Sequence, residues 1–193
     1  FGSSRLGSRY CSEVNWTFFV SCVVMSIVPP TVAYFGGGLP SGVLGLFPAV
    51  SPTKALLGSV FLFNAPHMVT MYLKYKGSKG TIDNVDPRAQ AEKLKSDPAV
   101  GGSLSRALAA HQNGLESFPV LAAGVVACMA AGVDKKTAGQ LACVHLLSRL
   151  SFNVCYMALP PSEGVGALRS MSWLLSLLSS CQLIYLAAEK SGF

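Results

Sequence analysis

Five long apolar runs divide the chain, and most charged residues collect between them. The runs are Asn15 to Phe35, Lys54 to Tyr75, Val100 to Ala131, Lys136 to Leu159 and Ala167 to Ala188. Each matches or exceeds the roughly 20 residues a helix needs to cross a hydrocarbon core of about 30 Å. The pattern predicts an all-α integral membrane bundle with spans at those positions. Pro29 and Pro30 fall near the end of the first run, where a missing backbone donor kinks or stops a helix. Residues 36–52 are dense in Gly and Pro yet still apolar, which predicts an interfacial or partner-covered loop. Residues 76–97 are charged and hydrophilic, which predicts an aqueous loop. The connections at 132–135 and 160–164 are short, so the helices they join should run antiparallel.

Composition supports a membrane solvent. The chain is 51% hydrophobic and only 12% charged, with mean hydropathy +0.46, too apolar for an ordinary soluble domain. Five spans place Arg5, Arg9, Lys76, Lys79, Arg88, Lys93 and Lys95 on one side and leave Lys54, Lys135, Lys136 and Lys190 for the other. The positive-inside bias makes the first side cytosolic, matrix or stromal. The net charge of +6 therefore reflects topology, and no nucleic-acid partner is expected. Cys11, Cys22, Cys128, Cys143, Cys155 and Cys181 are scattered without a CxxC pair, so they read as free helix thiols. The Ser- and Arg-rich opening, acid-free until Glu13, resembles the end of an organellar transit peptide. A eukaryotic organelle membrane is the expected location: mitochondrial inner, thylakoid or endoplasmic reticulum. No phosphate-binding glycine motif is present to support a nucleotide enzyme.

Ionisable residues inside the spans mark the candidate chemistry, because charge at that depth is costly. Arg106 and Asn113 are two turns apart on the third run, and Glu116 is one turn further along nearly the same face, while His111 projects elsewhere. Arg149 and Tyr156 are likewise seven residues apart on the fourth run. The Arg149 guanidinium needs an anionic partner, which is either Glu116 as an internal counterion or a bound carboxylate or thiolate. His67 and His145 raise haem or chlorophyll ligation, but no paired histidine spacing supports it, and a bond to a neighbouring helix is the simpler reading. Asp83, Asp86 and Glu92 lack the dense spacing of a calcium loop and read as solvated or capping acids; no metal is expected. Trp16, Tyr34, Trp173 and Tyr185 lie near span ends, as interfacial anchors do.

The polar motifs recur in a set order: RAxxAHxNxxExxP from Arg106 to Pro119, RLxxxxxY from Arg149 to Tyr156, then Leu168, Arg169 and Ser170. This pattern, with the loop from Asp83 to Gln90, resembles the MAPEG family, the membrane-associated proteins of eicosanoid and glutathione metabolism, most closely its bacterial, uncharacterised branch. The likeness covers Lys54 to Lys190. It implies a four-helix membrane domain over 54–193, with 1–53 as an extension carrying one added transmembrane helix. It also implies a homotrimer that binds glutathione between subunits near the cytosolic side and acts as a transferase or peroxidase on lipophilic electrophiles. Arg106, Asn113 and Glu116 would hold the tripeptide's carboxylates and amine, His111 would support the helix contact, Tyr156 would position the ligand, and Arg149 would stabilise the thiolate. Ala109 stands where glutathione-using members carry a second arginine, Gln112 where some have another, and Phe152 where the bacterial branch has tyrosine. The added span and the thinned site imply an alternative: a non-catalytic subunit of a large respiratory or photosynthetic membrane complex.

Overall fold

The computed structural model describes residues 38–192, so the first expected span, Asn15 to Phe35, lies outside the described residues. Six helices follow in order: α1 (Ser41–Leu44), α2 (Pro52–Gly77), α3 (Pro87–Lys95), α4 (Gly101–Ala131), α5 (Lys135–Met157) and α6 (Glu163–Ser191). No strand occurs among the described residues. The four long helices agree with the expected spans to within a turn or so. The extra turn at the start of α6 arises because the Ser162 hydroxyl caps it, accepting from Val165 N at 3.3 Å.

Local chemistry sets the other boundaries. Pro52 opens α2 within its first turn, where no intrahelical donor is lost. Gly132 ends α4 in the left-handed conformation, at φ +70°. Asp134 then caps α5, accepting from the Thr137 backbone N–H and hydroxyl, both at 2.9 Å. Those two bonds hold the Asp134 carboxyl below its ordinary value of 3.8. A depressed carboxylate contributes stability that is present above the unfolded pKa and lost as pH falls through the folded one. Carboxyl NMR in micelles should therefore place the Asp134 midpoint below 3.8, with Thr137 amide protection falling at that same midpoint. A midpoint at or above the ordinary value contradicts the cap.

The bundle buries a set of polar side chains beside its apolar core and exposes large apolar ones. α4 and α5 form the central pair; α2 packs on both from one side and α6 from the other, and α2 and α6 are not neighbours. Ser59, Thr70, Gln140, His145, Ser148, Arg149, Asn153, Ser172, Ser176, Ser179 and Ser180 are buried. Leu57, Phe61, Met68, Tyr72, Val126, Met129 and Met171 are exposed. That arrangement suits lipid, where interior polar groups bind helices together and the apolar rim meets acyl chains. By length and composition α2, α4 and α6 qualify as membrane spans, whereas α5 does not. At 23 residues it is about 35 Å long, enough to cross. Its polar residues Gln140, His145, Arg149 and Asn153 lower its hydropathy, and all four are buried against neighbouring helices.

Two proline effects and one close approach fix the packing. Pro66, inside α2, lacks the N–H that would bond to the Leu62 carbonyl. Asn153 of α5 supplies the donor instead, Nδ2 lying 2.7 Å from Leu62 O. Gly114 lets α4 approach α2 at this level, since a Cβ there would lie 2.5 Å from Phe63 Cβ.

The connections are more ordered than the sequence suggests. Residues 39–51, assigned by sequence to the N-terminal extension, pack on the bundle: Leu44 joins the core of Leu121, Val125, Leu141 and Leu183. Leu39 N donates to Gln182 Oε1 at 2.8 Å, and Gln140 Nε2 to Phe47 O at 3.1 Å. These bonds cover the loop's backbone, as an apolar Gly/Pro segment requires. Within the aqueous loop, α3 is a helix that sequence reading did not foresee. Asp83 accepts from Val85 N and Asp86 N, Asp86 caps α3 at Ala89 N, and Gln90 Nε2 reaches back to Ser78 Oγ at 2.8 Å. The motif from Asp83 to Gln90 is thus a loop-closing device. Cys128, Cys143, Cys155 and Cys181 are free thiols, as expected; Cys11 and Cys22 lie outside the described residues.

Candidate functional site

The candidate residues lie on α4 and α5, in the half of the bundle nearest the 158–162 turn. The structure divides them into two groups. Three on α4 are engaged within the bundle. Arg106 Nη1 donates to the Leu159 carbonyl at 3.2 Å, tying α4 to the residues just after α5. His111 Nδ1 lies 2.7 Å from Phe63 O. A carbonyl only accepts, so Nδ1 carries the proton. Asn113 Nδ2 bonds back to Ala109 O on its own helix, at 3.0 Å.

Glu116 is exposed and accepts from Gln112 Nε2 at 3.0 Å. The one ion pair among the described residues is Glu92 with Lys95, so Glu116 does not neutralise Arg149 by contact. Gln112, noted in sequence as a departure, therefore acts as the tether of Glu116.

Arg149 is only 3% exposed. Both terminal nitrogens, Nη1 and Nη2, lack a hydrogen-bond partner, in a narrow space lined by Ser59, Leu62, Phe63, Gly114, Ser117 and Asn153. The guanidinium carbon sits 4.3 Å from the Phe152 ring centroid. The departure to phenylalanine thus supplies a cation–π face in place of a hydroxyl. Phe152 packs on Tyr156 at 4.9 Å between ring centroids, and Arg169 of α6 covers Tyr156 with its guanidinium carbon 4.9 Å from that ring. A ladder of guanidinium, ring, ring and guanidinium therefore runs along α5 and ends on α6.

This brings together Arg149 and Tyr156 as the spacing foresaw, and adds Arg169, which the sequence reading noted within a motif but gave no role. Arg106 reaches the same end of α5 through Leu159, three residues beyond Tyr156. Arg149 itself faces the interior of the single subunit, and Tyr156 and Arg169 are the half-buried members of the ladder. The signal for Arg169 was its place three residues past Gly166 at the start of an apolar run, where a charge has no packing reason to be.

His67 is exposed on α2 and its ring packs at a tilt on that of His111, 4.9 Å between centroids, whereas His145 is fully buried. Among the described residues no group of three His, Cys, Asp or Glu side chains could hold a metal ion.

A model of the MAPEG family matches residues 54–188. No curated protein and no solved structure gave a match.

Proposed function

The chain belongs to the MAPEG family and is an integral membrane protein, and from that premise we propose that it binds glutathione at the α5–α6 end of the bundle and joins it, through its thiolate sulfur, to lipophilic electrophiles whose leaving group departs or whose strained ring opens. The observation that carries this reading is the set of three guanidinium groups, Arg106, Arg149 and Arg169, gathered about the second half of α5 with no ion pair among the described residues. Such a concentration of positive charge at low dielectric favours a small polyanion. Its donors fit a peptide with two carboxylates and an ionisable thiol.

Glutathione, when bound, supplies the nucleophilic sulfur. Arg106 holds its carboxylates, and Arg169, over Tyr156, favours the ionised thiol, whose reference pKa is about 8.5. Tyr156, held under Arg169, presents a phenolic hydroxyl that can donate to that sulfur or to the departing group. Arg149 adds positive potential from behind Phe152, and Glu116 offers the counter-charge for the peptide amine. His111 ties α4 to α2 through Phe63 O, while Asn113 bonds back to Ala109 O within α4. The site belongs to the side that the charge bias assigns to cytosol, matrix or stroma, where glutathione is available. In the homotrimer, a neighbouring subunit closes the site.

One observation favours a second reading. Arg106, His111 and Asn113 are already committed to internal bonds, as in a subunit retained for its shape within a large organellar complex. Native mass measurement after gentle detergent extraction separates the two. A homotrimer that gains three glutathione masses is the expected result. Migration only within a large complex, with no glutathione gained, contradicts the enzyme and supports the recruited subunit.

A further inference from the structure

A groove of about 380 Å³ runs between α5 and α6, away from the guanidinium ladder. Leu147, Leu168 and Met171 line it and are exposed, so it opens on the face that meets acyl chains. Val144, Ser148 and Ser172 are its buried members. Phe47 also lines it, its carbonyl held by Gln140 Nε2. Pockets of roughly 300 to 1,000 Å³ hold drug-sized ligands, and are mostly apolar with a few placed polar groups.

The polar side chains of the lining are three serines, and two of them have spent their protons. Ser172 Oγ donates to Leu168 O at 2.8 Å, which leaves it to accept from Ser151 Oγ at 3.0 Å. Ser148 differs. It is only 6% exposed, yet its hydroxyl has no hydrogen-bond partner among the described residues and is not sealed in, as the Arg149 nitrogens are. An unpaired hydroxyl in an apolar wall favours an occupant that brings it an acceptor. No lining residue is ionisable, so a charged group would enter without a counter-charge. A carbonyl needs only the Ser148 proton, whereas an alcohol brings a proton of its own that must be met as well.

We propose that this groove binds a neutral lipophilic carbonyl compound from the bilayer, its oxygen accepting from Ser148 Oγ and its apolar body lying along Leu147, Leu168 and Met171. This goes beyond the glutathione reading and does not depend on it.

Benzophenone is such a compound and, under ultraviolet light, bonds covalently to C–H groups that it touches. On detergent-solubilised protein its labelling should saturate and fall on residues 144–151 and 168–178. Dicyclohexyl ketone should displace it at about tenfold lower mole fraction in the micelle than dicyclohexylmethane, which has the same rings and no carbonyl. Tenfold corresponds to about 1.4 kcal/mol, one net hydrogen bond. Ser148→Ala should abolish that advantage while labelling persists. Labelling that never saturates and spreads over the exposed faces of α2 and α4, or equal displacement by ketone and hydrocarbon, overturns the proposal. So does an advantage that survives Ser148→Ala. The first two readouts use the wild-type protein and no glutathione, so they decide the matter even if the variant folds poorly.

Discussion

Replacing Asn153 with leucine should destabilise the bundle by about 1–3 kcal/mol, the cost of leaving a buried polar group unsatisfied. Interhelical hydrogen bonds in membranes average only about 0.6 kcal/mol, because a freed side chain usually finds another partner. The Leu62 carbonyl is different. Its helical donor is absent because Pro66 stands one turn later, and Asn153 Nδ2, at 2.7 Å, replaces it. No water reaches that depth to take over. The same logic gives a sharper expectation for the pair. Pro66→Ala restores an N–H to α2, so in the Asn153→Leu background it should recover most of the loss. A thermal unfolding cycle in micelles over the four proteins measures the coupling. Additive effects contradict the view that Asn153 serves the proline.

That pair also shows where sequence reasoning stops. Apolar run lengths made the four long helices legible because lipid demands about 20 residues per span. The polar content of α5 was visible too, but its meaning was not. Gln140, His145, Arg149 and Asn153 reduce its hydropathy, and only the packing of α2, α4 and α6 around it shows that they face inward. Helix α3 carries a local start signal, the Asp86 cap followed by Pro87, which the charge of the loop masked; what places it are the bonds from Gln90 to Ser78 and from Lys74 Nζ to the Pro87 carbonyl at 2.8 Å. Propensity carries no trace of those two placing contacts.

The candidate site was legible in part. Seven-residue spacing put Arg149 and Tyr156 on one face, and the structure links them through Phe152. Spacing cannot say whether that face meets a neighbouring helix or the outside, and Arg149 proves to be enclosed. Partners on other helices were beyond reach: Phe63 O for His111, Leu159 O for Arg106, the Tyr156 ring for Arg169. These depend on helix rotation, which a single sequence does not fix.

The largest functional effect is expected at Arg169. Its guanidinium lies over Tyr156 without an ion pair among the described residues, and it is the half-buried cation nearest the phenol. If it holds the glutathione sulfur as thiolate, Arg169→Ala removes a preorganised charge from a low-dielectric site, an effect that typically costs about 10² to 10³ in rate. Arg169→Lys should recover only part, because a point charge on a flexible stem does not stack on the ring as a planar guanidinium does. Bundle stability should change little, since Arg169 donates no interhelical hydrogen bond among the described residues.

The most direct measurement is the ultraviolet thiolate absorbance that develops when glutathione is mixed with the detergent-solubilised protein at neutral pH. A thiolate band that saturates with glutathione, and that Arg169→Ala abolishes while the protein stays folded, is the result expected of a MAPEG-type glutathione site at the end of α5. Absence of any thiolate band from the folded wild-type protein, at glutathione concentrations that saturate an ordinary site, contradicts it.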